Sequence, residues 1–282
     1  MEKLVLTPKG FSSVPLEAEV ITPDAFAGKS VKEIRALRVH YGNREVEMSE
    51  YIHVQGKVAD APANQLIVVD GDARHIKYIG RGMTAGRIVV QGDAGMHTGS
   101  QMSGGDITVA GDAADWTGAE MRGGLLRVLG DAGNQLGAAY RGSSEGMTGG
   151  CIVVNGSAGS EAGISMRRGM MVVEGATGPF TGAHMNGGEI FVFGPLGKRA
   201  GAQAKGNGGF IAALGGATQV LPTYVYEATY APGFMTLYLR QLAENLGVEH
   251  AATYMGAPLR RYRGDMAVGG SAEILVAEKG NP

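Results

Sequence analysis

Four aspartates stand directly after glycine at matching points of the chain: Asp72, Asp93, Asp112 and Asp131. Stacked carboxylates could bind a row of cations, or each could close a turn by accepting hydrogen bonds from nearby backbone N–H groups. A calcium ion takes roughly six to eight oxygens, and calcium-binding β-rolls set theirs out on a short nonapeptide repeat. Here successive aspartates are 21, 19 and 19 residues apart. One carboxylate per repeat is too few for a cation shell, so the spacing favours turn chemistry.

The other residues able to do chemistry do not converge. The six histidines are His40, His53, His75, His97, His184 and His250, with no His-x-His or His-x-x-x-His pair among them. His97 and His184 fall at different phases of the repeat and should not share a face. Neither a Gly-x-Ser-x-Gly nucleophile elbow nor a phosphate-binding Walker loop occurs. Gly-x-Gly-x-x-Gly strings carry no information in a chain with 48 glycines. In "GGDITVAGDA" the glycines flank a strand instead of joining strand to helix, which argues against a dinucleotide fold. Cys151 is the single cysteine. It excludes an internal disulfide and a cysteine-ligated zinc or iron–sulfur site made by this chain alone. With no histidine in phase, it reads as packing and not as a nucleophile. The sequence thus predicts no catalytic, cofactor-binding or metal-binding residue.

What positions all of these is a repeat. The glycines that close each apolar alternation are Gly71, Gly92, Gly111, Gly130, Gly156, Gly175, Gly194 and Gly215, separated by 21, 19, 19, 26, 19, 19 and 21 residues. A period near 19 is the signature of a solenoid. The 26 is one unit carrying seven extra residues, near "YRGSSEG" (Tyr140 to Gly146), and such insertions go into loops that often meet partners. Before each glycine the apolar residues alternate: Ile88 and Val90, Ile107 and Val109, Leu126 and Val128, Ile152 and Val154, Met171 and Val173, Ile190 and Val192, Ile211 and Ala213. Period two means strand, and one strand per unit at constant phase means parallel stacking with aliphatic ladders inside. Met83, Met102, Met121, Met147, Met166 and Met185 share another phase and are expected to fill the core. Flanking glycines, Gly86, Gly105, Gly124, Gly150, Gly169, Gly188 and Gly209, would supply corners. The predicted fold is an all-β solenoid, a parallel β-helix of about seven coils.

Composition agrees with a packed protein: 44% of residues are hydrophobic, which excludes a disordered tract. The net charge of −2 gives no case for nucleic acid or an anionic membrane as partner. The first residues show no signal peptide and no run approaches the ~18 apolar residues of a membrane span, so a cytoplasmic location is expected.

The flanks divide the chain into an N-terminal α/β cap segment (1–60), the β-helix (61–218) and a C-terminal helix with an extended arm (219–282). In the cap, Leu4 to Leu6 and Leu16 to Ile21 read as strands. Ser30 with Glu33 three residues on reads as a capping box. Tyr51 to Gly56 resembles a coil strand and should lead into the solenoid. In "FMTLYLRQLAENLG" the stripe Phe234, Leu237, Tyr238, Leu242 and Leu246 predicts a helix, with Gly247 as its C-cap. The arm offers Arg260, Arg261, Arg263, Asp265 and Glu273 as docking residues for another protein. Guanidinium groups suit carboxylate pairing, and the apolar "EILV" end would be poorly soluble if loose. The alternative is that the arm folds back over the last coil near Gly215, since an open solenoid end must be covered.

The tandem "GG-x-I-x-V-x-G-x-A-G" units resemble the right-handed β-helix of the glutamate synthase C-terminal region. With "LYLRQL" (Leu237 to Leu242) and "RRYRGDMAVGGSAEILV" (Arg260 to Val276), the chain resembles the C subunit of formylmethanofuran dehydrogenase over nearly its whole length. That resemblance implies a scaffold in one of two cytoplasmic complexes of one-carbon metabolism. One is a bacterial formyltransferase/hydrolase complex, which moves formyl from tetrahydromethanopterin to a methanofuran-type carrier and hydrolyses it to formate. The other is a tungsten or molybdenum dehydrogenase. In both it implies sister subunits that hold the carrier and the metal ions and do the chemistry: an amidohydrolase-like subunit, a formyltransferase subunit in the bacterial complex, and a further one. Sixteen arginines against nine lysines lean toward a GC-rich bacterial source and the first complex. Two alternatives stand beside it: a stand-alone glutamate-synthase-type domain, and a β-helix hydrolase or lyase with Asp93, Asp112 and Asp131 on one face.

Overall fold

The computed structural model describes residues 1–10, 14–217 and 219–278. Thr218, the last residue of the expected repeat segment, residues 11–13 of the expected cap and residues 279–282 of the expected arm lie outside the described residues. The protein is mostly β, with one large sheet and few helices.

The N-terminal segment runs β1 (Glu2–Pro8), β2 (Leu16–Glu17), α1 (Pro23–Phe26), α2 (Val31–Arg35), β3 (Arg38–Tyr41), β4 (Arg44–Glu47), α3 (Met48–Tyr51) and β5 (Ile52–Gly56). The Ser30 and Glu33 capping box opens α2, with each side chain reaching the other's backbone N–H. The predicted strand over Leu16–Ile21 stops after Glu17, because Ile21 N–H turns back to Ala18 C=O and leads into Pro23.

The repeats supply β6 (Gln65–Val69), β7 (Ile76–Lys77), β8 (Arg87–Val90), β9 (Ser103–Val109), β10 (Arg122–Val128), β11 (Thr148–Val154), β12 (Arg168–Val173), β13 (Glu189–Val192) and β14 (Phe210–Ala213). β7 pairs with β2 in a small sheet; the other eight pair in parallel, in chain order. The register puts Ile67, Ile88, Ile107, Leu126, Ile152, Met171, Ile190 and Ile211 in one line and Val69, Val90, Val109, Val128, Val154, Val173, Val192 and Ala213 in another. All sixteen side chains are buried. A further line of parallel bridges joins Ala73, Ala94, Ala113, Ala132, Ala158 and Thr177. The six methionines of the expected ladder are fully buried. Gly99, at φ +68°, shows why glycine recurs: a Cβ there would lie 2.3 Å from a methyl of Leu126. At the predicted Gly209 corner the left-handed residue is Gly208 instead.

Both ends of the ladder are closed by strands from outside the repeat. β1 pairs in parallel with β6, so Leu4 and Leu6 extend the two aliphatic lines past Ile67 and Val69. The coil-like strand expected at Tyr51–Gly56 does form, as β5, but not as the neighbour of β6. β1 already occupies that slot, and β5 pairs antiparallel on its far side. At the other end the chain forms β15 (Val225–Tyr230), α4 (Gly233–Asn245), a short 3-10 turn (Glu249–Tyr254), β16 (Leu259–Gly264) and β17 (Ala272–Ala277). β17 lies parallel to β14, placing Ile274 beside Ile211 and Val276 beside Ala213. β16 and then β15 follow antiparallel. The arm therefore folds back as the last rung, because the apolar alternation of "AEILVA" continues the ladder. The reading of a free, outward-docking arm is corrected.

α4 lies on the outer face of the sheet, not over its end. Met235, Leu239 and Leu242 are buried in a second apolar cluster with Val153, Met170, Val172, Phe191, Phe210 and Leu275. Of the predicted stripe, Leu242 is buried and Tyr238 and Leu246 pack against this cluster, while Met235 and Leu239 take the places expected for Phe234 and Leu237. Leu237 is 68% exposed and Phe234 40%, because a helix lying on a flat sheet buries a narrow i, i+4, i+7 strip. Gly247 ends α4 at φ +69° as expected.

Candidate interaction surfaces

The Gly-Asp aspartates act between repeats. Asp93 Oδ1 accepts the N–H of Asp112 at 2.9 Å, Asp112 Oδ1 that of Asp131 at 2.8 Å, and Asp131 Oδ1 that of Ser157 at 2.7 Å. Ser157 Oγ carries the row on to Ala176 N–H. Only Asp72 closes its own turn, accepting from Arg74 N–H at 3.0 Å. The turn reading thus had the right chemistry and the wrong partner, since the carboxylate satisfies an amide one repeat away. Glycine is required before Asp112 and Asp131, because a Cβ on Gly111 would fall 2.1 Å from Asp93 Oδ1 and one on Gly130 2.2 Å from Asp112 Oδ1. A second row, not foreseen, runs from Asp115 to Asn134 N–H and from Asn134 to Ser160 N–H. Among the described residues no group of three or more His, Cys, Asp or Glu side chains could hold a metal ion.

His97 stands in an aromatic row. Tyr78, His97 and Trp116 are 19 residues apart, and each has a left-handed backbone (φ +67°, +65° and +63°) at the same place in its repeat. Their rings stack at 4.5 Å (Tyr78–His97) and 6.3 Å (His97–Trp116), and Trp116 stacks on Tyr140 at 5.1 Å. Tyr140 opens the seven-residue insertion, so the row anchors that loop. Burial first, then the charges of Lys77 and Arg81, pull the His97 pKa down to about 4. The imidazole is therefore neutral at neutral pH, and its Nδ1 lies 2.9 Å from the Tyr140 hydroxyl. Burial also raises the Tyr140 phenol. His97 and His184 do not stack, as their phases require. The row was legible in the same period; the histidine comparison passed over it because the neighbours are tyrosine and tryptophan. Beside it, Trp116, Tyr140, Arg141, Glu161 and Ser165 line a cleft.

Cys151 is partly buried on the outer face of the sheet, among the residues packed beneath α4. Burial pushes its thiol up to about 11, so it is a poor nucleophile. The helix is tied down by Arg127, which donates to Leu246 C=O at 2.7 Å, and by Tyr238, whose hydroxyl donates to Glu189 at 3.2 Å.

The five residues offered for docking divide. Asp265 is buried and accepts the N–H groups of Gln203 (3.0 Å) and Ala267 (2.9 Å). Glu273 pairs with Arg261, which also meets Glu227 at 3.3 Å. These are internal fastenings of β15, β16 and β17, and Asp265 has no surface to offer. Arg263 lies 3.6 Å from Glu227 and is exposed. Arg260 is exposed and lies over two rings, 5.7 Å from Tyr226 and 5.4 Å from Tyr262.

The chain is thus a mostly β protein whose parallel ladder is closed at both ends and whose polar side chains fasten its own turns. No family model matches it. It is 45% identical over 100 residues to the C subunit of a tungsten-containing formylmethanofuran dehydrogenase from Methanothermobacter wolfeii. It is 46% identical over 97 residues to the C subunit of the molybdenum-containing enzyme of Methanosarcina barkeri. These matches cover 36% and 34% of this chain, and only 37% and 32% of the relatives. A crystal structure of the formyltransferase/hydrolase complex from Methylorubrum extorquens, bound to methylofuran, contains a chain that superposes with a TM-score of 0.88 at 30% identity. That match covers 97% of this chain and 99% of the other. The chain belongs to the C-subunit family of formylmethanofuran dehydrogenases. Among the described residues no helix is long and apolar enough to cross a membrane.

Proposed function

We propose that the chain is the non-catalytic C subunit of a formyltransferase/hydrolase complex, where it forms a rigid right-handed β-helix against which sister subunits assemble. The observation that carries this reading is the end-to-end likeness to a chain of such a complex. Two lines of parallel bridges per repeat, one through the strands and one through the alanines, support the solenoid. Formyl transfer from a tetrahydromethanopterin derivative to a methanofuran-type carrier, and hydrolysis to formate, fall to an amidohydrolase-like subunit, a formyltransferase subunit and a further sister. They hold the carrier and the metal ions. The polar groups of this chain engage its own backbone, as the Asp93–Asp112–Asp131 row does, and the half-buried His97 faces Tyr140.

The test is co-expression with candidate sister subunits, followed by purification and assay. The expected outcome is a stable assembly with hydrolase activity, and no turnover by this chain alone. A second reading, the C subunit of a tungsten or molybdenum dehydrogenase, is favoured by the higher local identity to those enzymes. A molybdopterin-containing subunit in the purified assembly would establish it.

A further inference from the structure

Seven of the nine large apolar side chains exposed among the described residues lie between Val225 and Val268. Three are on β15, which forms the outer edge of the thirteen-stranded sheet and pairs on one side only, with β16. All six residues of β15 are exposed, with Val225 at 55% and Tyr226 at 50%. An edge strand presents a row of unpaired N–H and C=O groups, and stable proteins usually blunt it with lysine, proline or a covering loop. β15 has one bulge, at Glu227, and Ala228–Tyr230 beyond it carry neither lysine nor proline.

The charges beside this edge are uneven. Arg261 and Arg263 are paired with Glu227 and Glu273. Arg260 has no carboxylate partner among the described residues. Its guanidinium spans the rings of Tyr226 and Tyr262, whose planes meet edge to face. Stacking fixes the plane of the guanidinium and leaves its N–H groups free for a carboxylate.

We propose that β15 takes up an extended, carboxylate-bearing segment of a sister subunit as an added strand, with the carboxylate seated on Arg260. The inference rests on the reading of this chain as one member of a larger assembly. Main-chain hydrogen bonds to the edge supply affinity, and the Arg260–Tyr226–Tyr262 cluster supplies selectivity.

The test is amide hydrogen exchange of the full chain, expressed alone and within the co-expressed complex, together with Arg260→Glu and Tyr226→Ser. Both side chains are exposed, so the isolated variants should melt within a few degrees of wild type. Exchange in β15 should slow at least tenfold on assembly, and Arg260→Glu should weaken assembly at least tenfold. β15 amides that exchange as fast in the complex as alone would overturn the proposal, whether or not other surfaces become protected. So would an Arg260→Glu chain that assembles normally. Protection of β15 that rises with the concentration of the isolated chain would overturn it in favour of a second copy. Failure of the wild-type chain to assemble at all would instead strike down the underlying reading.

Discussion

Ile274 of the C-terminal arm lies in parallel register beside Ile211 of the last repeat, in the same line that begins with Leu4 beside Ile67. The arm is thus part of the core.

Stopping the chain after Tyr254 should expose the edge of β14, with Ile211 and Ala213, to water. Burying an aliphatic side chain is worth about 2 kcal/mol, and the truncation uncovers several together with a row of backbone groups. The expected result is a lowered melting temperature or aggregation of the isolated protein, measured by calorimetry and light scattering. A truncated chain that stays monomeric and melts like the parent would contradict the fold-back.

Ile107→Asp tests the interior of the ladder. Ile107 is fully buried between Ile88 and Leu126, so the variant places an unpaired carboxylate among stacked aliphatic side chains. A cost of roughly 4–5 kcal/mol should leave little soluble, folded protein, and circular dichroism of whatever remains should differ from wild type.

The aspartate rows predict a graded response. Asp112→Ala removes the acceptor of Asp131 N–H and should cost about 1 kcal/mol, or about 2 °C in a chain of this size. Asp112→Asn keeps an oxygen acceptor and should be nearly neutral. Calcium should move neither variant nor the parent. A melting temperature that rises with micromolar calcium and loses that rise in Asp112→Asn would instead show a cation row.

His97 gives a pH signature. Its pKa falls from about 6.5 when unfolded to about 4 when folded. Between those values the unfolded chain holds the proton and the folded chain does not, so this contribution to stability is complete above pH 6.5 and fades as pH falls toward 4. His97→Phe should flatten that part of the stability profile. Trp116, the one tryptophan in the chain, stacks on the ring, so its fluorescence should titrate near pH 4 in the native protein. A midpoint near 6.5 would contradict the burial.

The strands of the repeat were legible because two periods agree, two residues within a strand and 19 between strands. The neighbours of β1 and β17 were not legible. Alternation in "LVL" or "EILV" shows that a strand buries one face, but not which strand lies beside it across 60 residues of chain. Arg261 and Glu273 were read as outward groups for the same reason: their pairing exists only once β16 lies against β17. The buried face of α4 was misjudged because Phe234 and Leu237 are as apolar as Met235 and Leu239, and only the outer face of the sheet chooses between them.

The end strands make the protein a molecular ruler. Nine strand-to-strand steps separate β1 from β17 in the sheet order, and at ~4.8 Å per step they hold the two end strands about 43 Å apart, well suited to energy transfer between dyes. Because the thiol of Cys151 is half-sheltered and weakly acidic, cysteines introduced as Lys3→Cys and Glu278→Cys would label ahead of it. Loss of a single repeat would shorten the span by one step, while a longer insertion at Tyr140 would leave it unchanged.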